Sequence, residues 1–242
     1  QDTDFGKEIL DGAKLQAEKL KMKVVETAAH KPTDQDFTAS LTKLKAANCD
    51  LIVMGTIVRD TIIPYTAARK SGWTDVTFLG SSATYDAAVG AAPGMDGFYG
   101  MGLTDMLYAD SDLPAVRKFY ADYKAKFGKD PNVGAIYGYV GADLTVQGLK
   151  NAGKDLTLDS FIKGMEAIKD SKDLFGGPPA TFGPNIRQGA NGSFVAEVKN
   201  GKWVPTFPKA KYIFSKQEFD MWNPAEADHV EIEINQNVFN DS

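Results

Sequence analysis

The polar and chargeable side chains most suited to holding a small molecule fall in two short stretches. These are Gly55-Thr56-Ile57-Val58-Arg59 and Gly80-Ser81-Ser82-Ala83-Thr84-Tyr85, each a glycine followed by small or polar residues. A buried Arg59 would clamp a carboxylate through charge-assisted, bidentate hydrogen bonds. The alternative is an exposed pair with Asp60. Ser81 and Ser82 offer hydroxyls to a ligand or, equally, to a helix N-terminus. Covalent chemistry has little raw material. Ser81-Ser82 has no candidate base, because the only histidines are His30 and His229. The lone Cys49 opens an apolar run and reads as a buried small hydrophobe, with no partner for a disulfide. The pairs Asp2/Asp4 and Asp110/Asp112 read as caps or solvated loops rather than acid–base dyads. G-x-S-x-G, G-x-G-x-x-G, the P-loop pattern and H-E-x-x-H are all missing. The chemistry available is binding, and the chain is expected to be no enzyme and to need no cofactor or metal.

Composition narrows the class. The 242 residues carry 27 basic and 32 acidic side chains, a net charge of −5, with 43% hydrophobic and 24% charged residues. That is ordinary globular usage and excludes a disordered chain. A pI of about 5.1 argues against nucleic acid as a partner. No apolar run approaches the roughly 18 residues of a membrane span. The opening Gln1-Asp2-Thr3-Asp4 is not a signal peptide, which leaves a cytosolic, processed or truncated chain.

The elements that must position these residues alternate between helix and strand in the first half. Phe5–Lys21 reads as an amphipathic helix with Asp4 as its cap. Lys23–Thr27 reads as a strand, and a second helix starts at Asp36. Asp50–Gly55 is a continuous apolar run, expected to be buried on both faces. Val58–Ser71 is a third helix stopped by Gly72. Strands are expected at Val76–Leu79 and Gly97–Leu103. Helices between strands imply βαβ units and a parallel sheet, whose ligands bind beyond the C-terminal strand ends. Those ends are the stretches at Gly55 and Gly80. Thr104–Asp112 is an acidic connector. Helices follow at Leu113–Phe127, Val133–Lys150 (apolar almost all round, hence expected to be buried) and Leu158–Lys169. Asn200-Gly201 signals a type I′ hairpin, and Val230–Ile234 alternates as a strand. A doubly wound unit begins with a strand, yet this chain starts at a helix. It is therefore expected to be the C-terminal part of a longer protein, or to lack an N-terminal segment.

Five segments in register resemble the type I periplasmic binding proteins of branched-chain-amino-acid-type ABC transporters. Asp2-Thr3-Asp4-Phe5-Gly6 is similar to the family's "D-x-x-(Y/F)-G" opening of the second lobe. Asp36-Phe37-Thr38 with Leu41 and Leu44 is similar to its "D-F-(S/T)" helix. Asp50–Gly55 resembles its "D-(L/A)-(I/V)-x-x-G" strand. Phe119–Pro131 is similar to its "F-x-x-x-Y-x-x-(K/R)-(F/Y)-G-x-x-P" element, and Tyr137–Ala142 to its "Y-D-A" helix. The match runs over roughly residues 1–205.

The resemblance implies an α/β fold of two lobes that close on a ligand by hinge motion. Residues 1–103 would form the main part of the C-terminal lobe, with its parallel doubly wound sheet. Residues 104–193 would be helices of a partly present N-terminal lobe, and 194–242 the return to the C-terminal lobe plus a tail. It also implies export to the periplasm, an ABC permease as membrane partner, and a monomer. Phe5 would line the pocket beside Thr56, Arg59, Ser81, Ser82 and Tyr85, with Tyr137 or Tyr139 from the opposite lobe; core packing is the alternative for these aromatics. Amino-acid-binding relatives place a carboxylate after the "F-x-G" strand, to pair with the ligand's ammonium. Here Phe78-Leu79-Gly80 is followed by serines. Burying an ammonium without a countercharge costs about several kcal/mol, so a small carboxylate, and an aromatic acid in particular, is the favoured ligand. Asp86 or Asp60 could restore an ammonium site, which keeps amino-acid binding as the alternative. A ligand-sensing receptor domain is a third reading.

Overall fold

In the computed structural model, residues 1–206 are described. Short apolar segments, each capped by a turn, assemble five strands into one sheet in the order β1-β2-β3-β4-β5. These are β1 (Leu51–Met54), β2 (Thr77–Gly80), β3 (Tyr99–Gly102), β4 (Phe194–Lys199) and β5 (Lys202–Pro205). The first three run parallel, with Met54 opposite Gly80 and Leu79 opposite Tyr99. The last two are antiparallel, so the sheet is mixed. Asn200 and Gly201 have φ of 52° and 77°. Left-handed backbone at both central positions is what a type I′ turn demands, and the expected hairpin forms there.

One face of the sheet carries the core. Ile52, Met54, Phe78, Ala196, Val198 and Trp203 point into it and are buried. The helix α3 (Val58–Lys70) covers this face through Tyr65, whose ring meets Phe78 and Phe98 edge-on at 5.2 and 5.1 Å. The Arg69 guanidinium lies 4.8 Å from the Tyr65 ring centre and donates to the carbonyls of Trp73 and Val76, which fastens the α3–β2 connection. Gly72, at φ 77°, then ends the helix as expected. A short helix, α4 (Ala87–Ala91), follows β2, and the sequence reading had missed it.

Two expectations fail on one physical point. β1 was expected to be buried on both faces, but Leu51 and Val53 are 37% and 43% exposed. Lys23–Thr27 was expected as a strand, yet it has no ladder partner among the described residues, and Val24 and Val25 are exposed. A strand exists only through hydrogen bonds to a neighbour, and an apolar run is buried only where a second layer covers it. Neither condition can be read from the run itself.

The first helix, α1 (Asp4–Lys19), is capped by Thr3, whose hydroxyl accepts from the Gly6 amide, while Asp4 sits in the first turn. α2 (Thr38–Ala46) begins after Asp36, whose carboxylate accepts from the Thr38 amide. After the connector comes α5 (Pro114–Phe127), closed by Gly128 at φ 70°.

The described residues divide into two units, Gln1–Tyr137 with 193–206, and Gly138–Gly192. α6 (Val133–Ala152) passes from the first into the second, which also holds α7 (Leu158–Glu166). Expected as a buried helix, α6 instead exposes Tyr139, Val146 and Leu149. Its packed stripe is narrow: a Cβ on Gly164 of α7 would lie 2.3 Å from the Gly148 carbonyl, so the two helices touch backbone to backbone. The expected strand at 230–234 lies outside the described residues.

Candidate functional site

The C-terminal ends of β1 and β2 lie side by side. The Ser81 amide donates to the Met54 carbonyl at 3.1 Å, and the Ser81 hydroxyl reaches the Thr56 carbonyl at 3.4 Å. The first turn of α1 abuts the same place: a Cβ on Gly55 would lie 3.1 Å from that of Ile9 and 3.3 Å from the Gly6 Cα. A glycine leaves room for this close approach, where a Cβ would make its neighbours shift by a few tenths of an ångström. The approach sets Phe5, one residue before Gly6, in the half-buried first turn of α1 at the β1 tip.

Inside the β1 tip, the hydroxyls bond to one another. Thr56 and Thr61 share a 2.6 Å hydrogen bond, and Thr61 is also 2.6 Å from the Ile57 carbonyl. The Ile57 amide donates to the Asp60 carboxylate at 3.1 Å. Asp60 is fully buried and also accepts from His30 Nε2 at 2.8 Å. Burial pushes the Asp60 carboxyl up, but hydrogen bonds from His30, the Gln1 side chain and the Ile57 amide outweigh it and hold it below its ordinary value. It is therefore a carboxylate, and the imidazole nitrogen facing it carries the proton. Ile57, with amide and carbonyl both held, turns its side chain outward at 46% exposure.

At the β2 tip the sorting is similar. Ser81 is buried, and its carbonyl accepts from the Thr84 hydroxyl at 2.7 Å. Ser82 is half-exposed. Tyr85 is buried; its hydroxyl accepts from the Met106 amide at 2.8 Å, and burial raises it above its ordinary value. Asp86 caps α4 through the Ala88 amide at 2.8 Å and accepts from the Val133 amide at 3.4 Å. Its carbonyl takes the Trp203 indole N–H at 2.7 Å.

The sequence-selected residues thus separate into three groups. Thr56, Ser81 and Tyr85 are consumed inside the fold. Phe5 and Ser82 remain accessible near the tips. Arg59 is exposed and donates to the Pro32 carbonyl. Tyr137 buries its hydroxyl without a hydrogen-bond partner among the described residues; the Leu103 main chain lies close but outside hydrogen-bonding geometry, and burial raises the phenol. Tyr139 belongs to the other unit and packs edge-on against Phe175 at 5.9 Å. Ile57 lies in the stretch that sequence reasoning selected after Gly55, but it was not singled out as a site residue. Sequence reasoning missed the His30–Asp60 pair, whose members are thirty residues apart and share no motif.

A family model described as periplasmic binding protein matches residues 1–202. The Leu/Ile/Val-binding protein homolog 8 of Brucella abortus (strain 2308) is 24% identical over an alignment of 227 residues that covers 89% of this chain and 56% of the relative. The chain thus spans about half the length of the curated relatives it matches. Among solved structures, a branched chain amino acid ABC transporter from Thermus thermophilus with bound valine superposes with a TM-score of 0.76 at 20% identity, over 89% of this chain and 59% of that one. A fatty acid ABC transporter substrate-binding protein from Thermomonospora curvata gives 0.67 at 26% identity, over 85% and 54%. A solute-binding protein of an R. palustris ABC transporter, in complex with benzoate, gives 0.67 at 18% identity, over 85% and 55%. These likenesses match the α/β fold expected from the sequence.

Proposed function

The chain belongs to the periplasmic binding protein family, and on that premise we propose that it is part of the periplasmic solute-binding component of an ABC transporter. It binds a small carboxylate between two lobes and delivers it to a membrane permease, without catalysing a reaction and as a monomer. On this reading residues 1–103 form the main part of the C-terminal lobe, 104–193 belong to the N-terminal lobe, and the chain returns to the C-terminal lobe at 194 before its tail. Ligand-driven closure follows because contacts from both lobes form only with the solute present.

One observation carries the choice of ligand. The two acids nearest the strand tips, Asp60 and Asp86, are buried and committed to His30, Ile57, Ala88 and Val133. Neither is free to balance an α-ammonium, whose unpaired burial is costly. What the tips offer is apolar Ile57 and Phe5, the Ser82 hydroxyl, and the cationic Arg59 at the rim. This suits an apolar acid, with an aromatic acid favoured. Valine, benzoate and the fatty acid named for the three structural neighbours have a carboxylate in common. The valine complex supports the second reading, an amino-acid ligand supplied with its countercharge from elsewhere in the protein.

Thermal-shift titration of the protein with sodium benzoate, 4-hydroxybenzoate, L-valine and L-leucine tests the choice, since a ligand raises the melting temperature by mass action. Benzoates are expected to stabilise. Stabilisation by valine or leucine and by no aromatic acid overturns the aromatic assignment in favour of the amino acid.

A further inference from the structure

We propose that His30 is a positioning residue for the ligand-facing tip of β1, holding Ile57 in place through the carboxylate of Asp60. The argument starts at Ile57. Its amide is held by Asp60 at 3.1 Å and its carbonyl by the Thr61 hydroxyl at 2.6 Å. Both partners belong to the first turn of α3, so the conformation of Ile57 follows that of two side chains. Thr61 is further fixed by Thr56. Asp60 is fixed by His30, which donates from Nε2 at 2.8 Å to the carboxylate oxygen that the Ile57 amide does not use.

His30 is itself anchored on three sides. Its ring stands edge-on to Phe37 at 5.0 Å, and Phe37 is buried. Its carbonyl accepts from the Asp2 amide at 2.7 Å. Two residues on, the Pro32 carbonyl takes the Arg59 guanidinium, so the loop is tied to α3 at two successive positions. Gln1 also donates to the Asp60 carboxylate. Removing the imidazole takes away one of these two side-chain donors, leaves the carboxylate less fully satisfied and loosens its hold on the Ile57 amide. That Ile57 faces a ligand rests on the proposed solute-binding reading; that His30 positions Ile57 does not.

The test is amide exchange, resolved by residue in NMR spectra of the full chain. In His30→Ala the Ile57 amide is expected to exchange about tenfold faster, the loss of one charge-assisted hydrogen bond, while the Val198 amide in β4 keeps its rate. His30→Gln, whose side-chain amide can donate to Asp60, is expected to restore most of the protection. If alanine is not tolerated, His30→Asn, too short to span the gap, carries the same expected signature. The proposal is overturned if Ile57 exchange is unchanged in a folded variant, if Val198 accelerates equally, or if glutamine fails to rescue. A separate arm titrates L-valine and sodium benzoate into wild type and His30→Ala. Weaker binding of whichever probe binds supports the role at the site, and unchanged affinity overturns that role. If neither probe binds wild type, the ligand assignment fails, while Ile57 exchange still decides the positioning.

Discussion

The Trp203 indole donates to the Asp86 carbonyl at 2.7 Å across 117 residues of sequence. The bond pins the returning hairpin to the loop after β2. The ring also fills the space above two glycines, Gly90 and Gly100, and stacks at a tilt on Tyr85 at 4.9 Å. Trp203→Phe removes the donor and part of the ring, while the Asp86 carbonyl keeps the Val89 and Gly90 amides. The expected loss is about 2–4 kcal/mol, read as a lower urea midpoint with unchanged slope.

Two glycine substitutions should act in opposite directions. A Cβ at Gly100 would fall 2.7 Å from the Trp203 ring, whereas at Gly138, inside α6, it would meet nothing within 4 Å. Gly100→Ala is expected to destabilise by about 1–3 kcal/mol through overpacking. Gly138→Ala is expected to stabilise by about 0.5–1 kcal/mol, because alanine is the better helix former. Thermal unfolding of the two variants beside wild type checks both signs.

Asp60 makes acid stability sensitive to one carboxylate. Its folded value is held below the ordinary 3.8 by hydrogen bonds that outweigh burial. The unfolded chain therefore binds the proton more readily. The contribution to stability is complete above 3.8 and is lost as pH falls through the folded value. Asp60→Asn should flatten the decline of the urea midpoint between about pH 2 and 5. A decline as steep as that of wild type would assign the acid sensitivity to other groups.

Adjacent serines should separate stability from binding. Ser81 is buried and bonded to the Thr56 carbonyl, while Ser82 is half-exposed at the same tip. Ser81→Ala is expected to lower stability by about 1 kcal/mol and Ser82→Ala to leave it unchanged. Ser82→Ala should instead weaken the ligand that binds, by about fivefold. Calorimetric titration and thermal unfolding of both variants give the comparison.

Much of this molecule was legible in the chain, and the parts that were share a cause. Local signals fix local geometry. Asn200-Gly201 specifies its turn because few residues adopt two successive left-handed conformations. Gly72 ends α3 for the same reason. The glycine-ended strands marked the tips at 55 and 80, which the parallel register then brings side by side. The family resemblance was carried by the order of such segments along the chain.

Tertiary structure alone decided the rest, because burial and hydrogen-bond partnership belong to pairs of distant residues. Thr56 and Ser82 look alike as polar residues near a glycine, yet one turns into the fold and the other stays accessible. The apolar runs of β1 and α6 carry no mark of which face will find a covering layer. His30 and Asp60 acquire meaning only once a loop and a helix N-terminus are folded within 2.8 Å of each other.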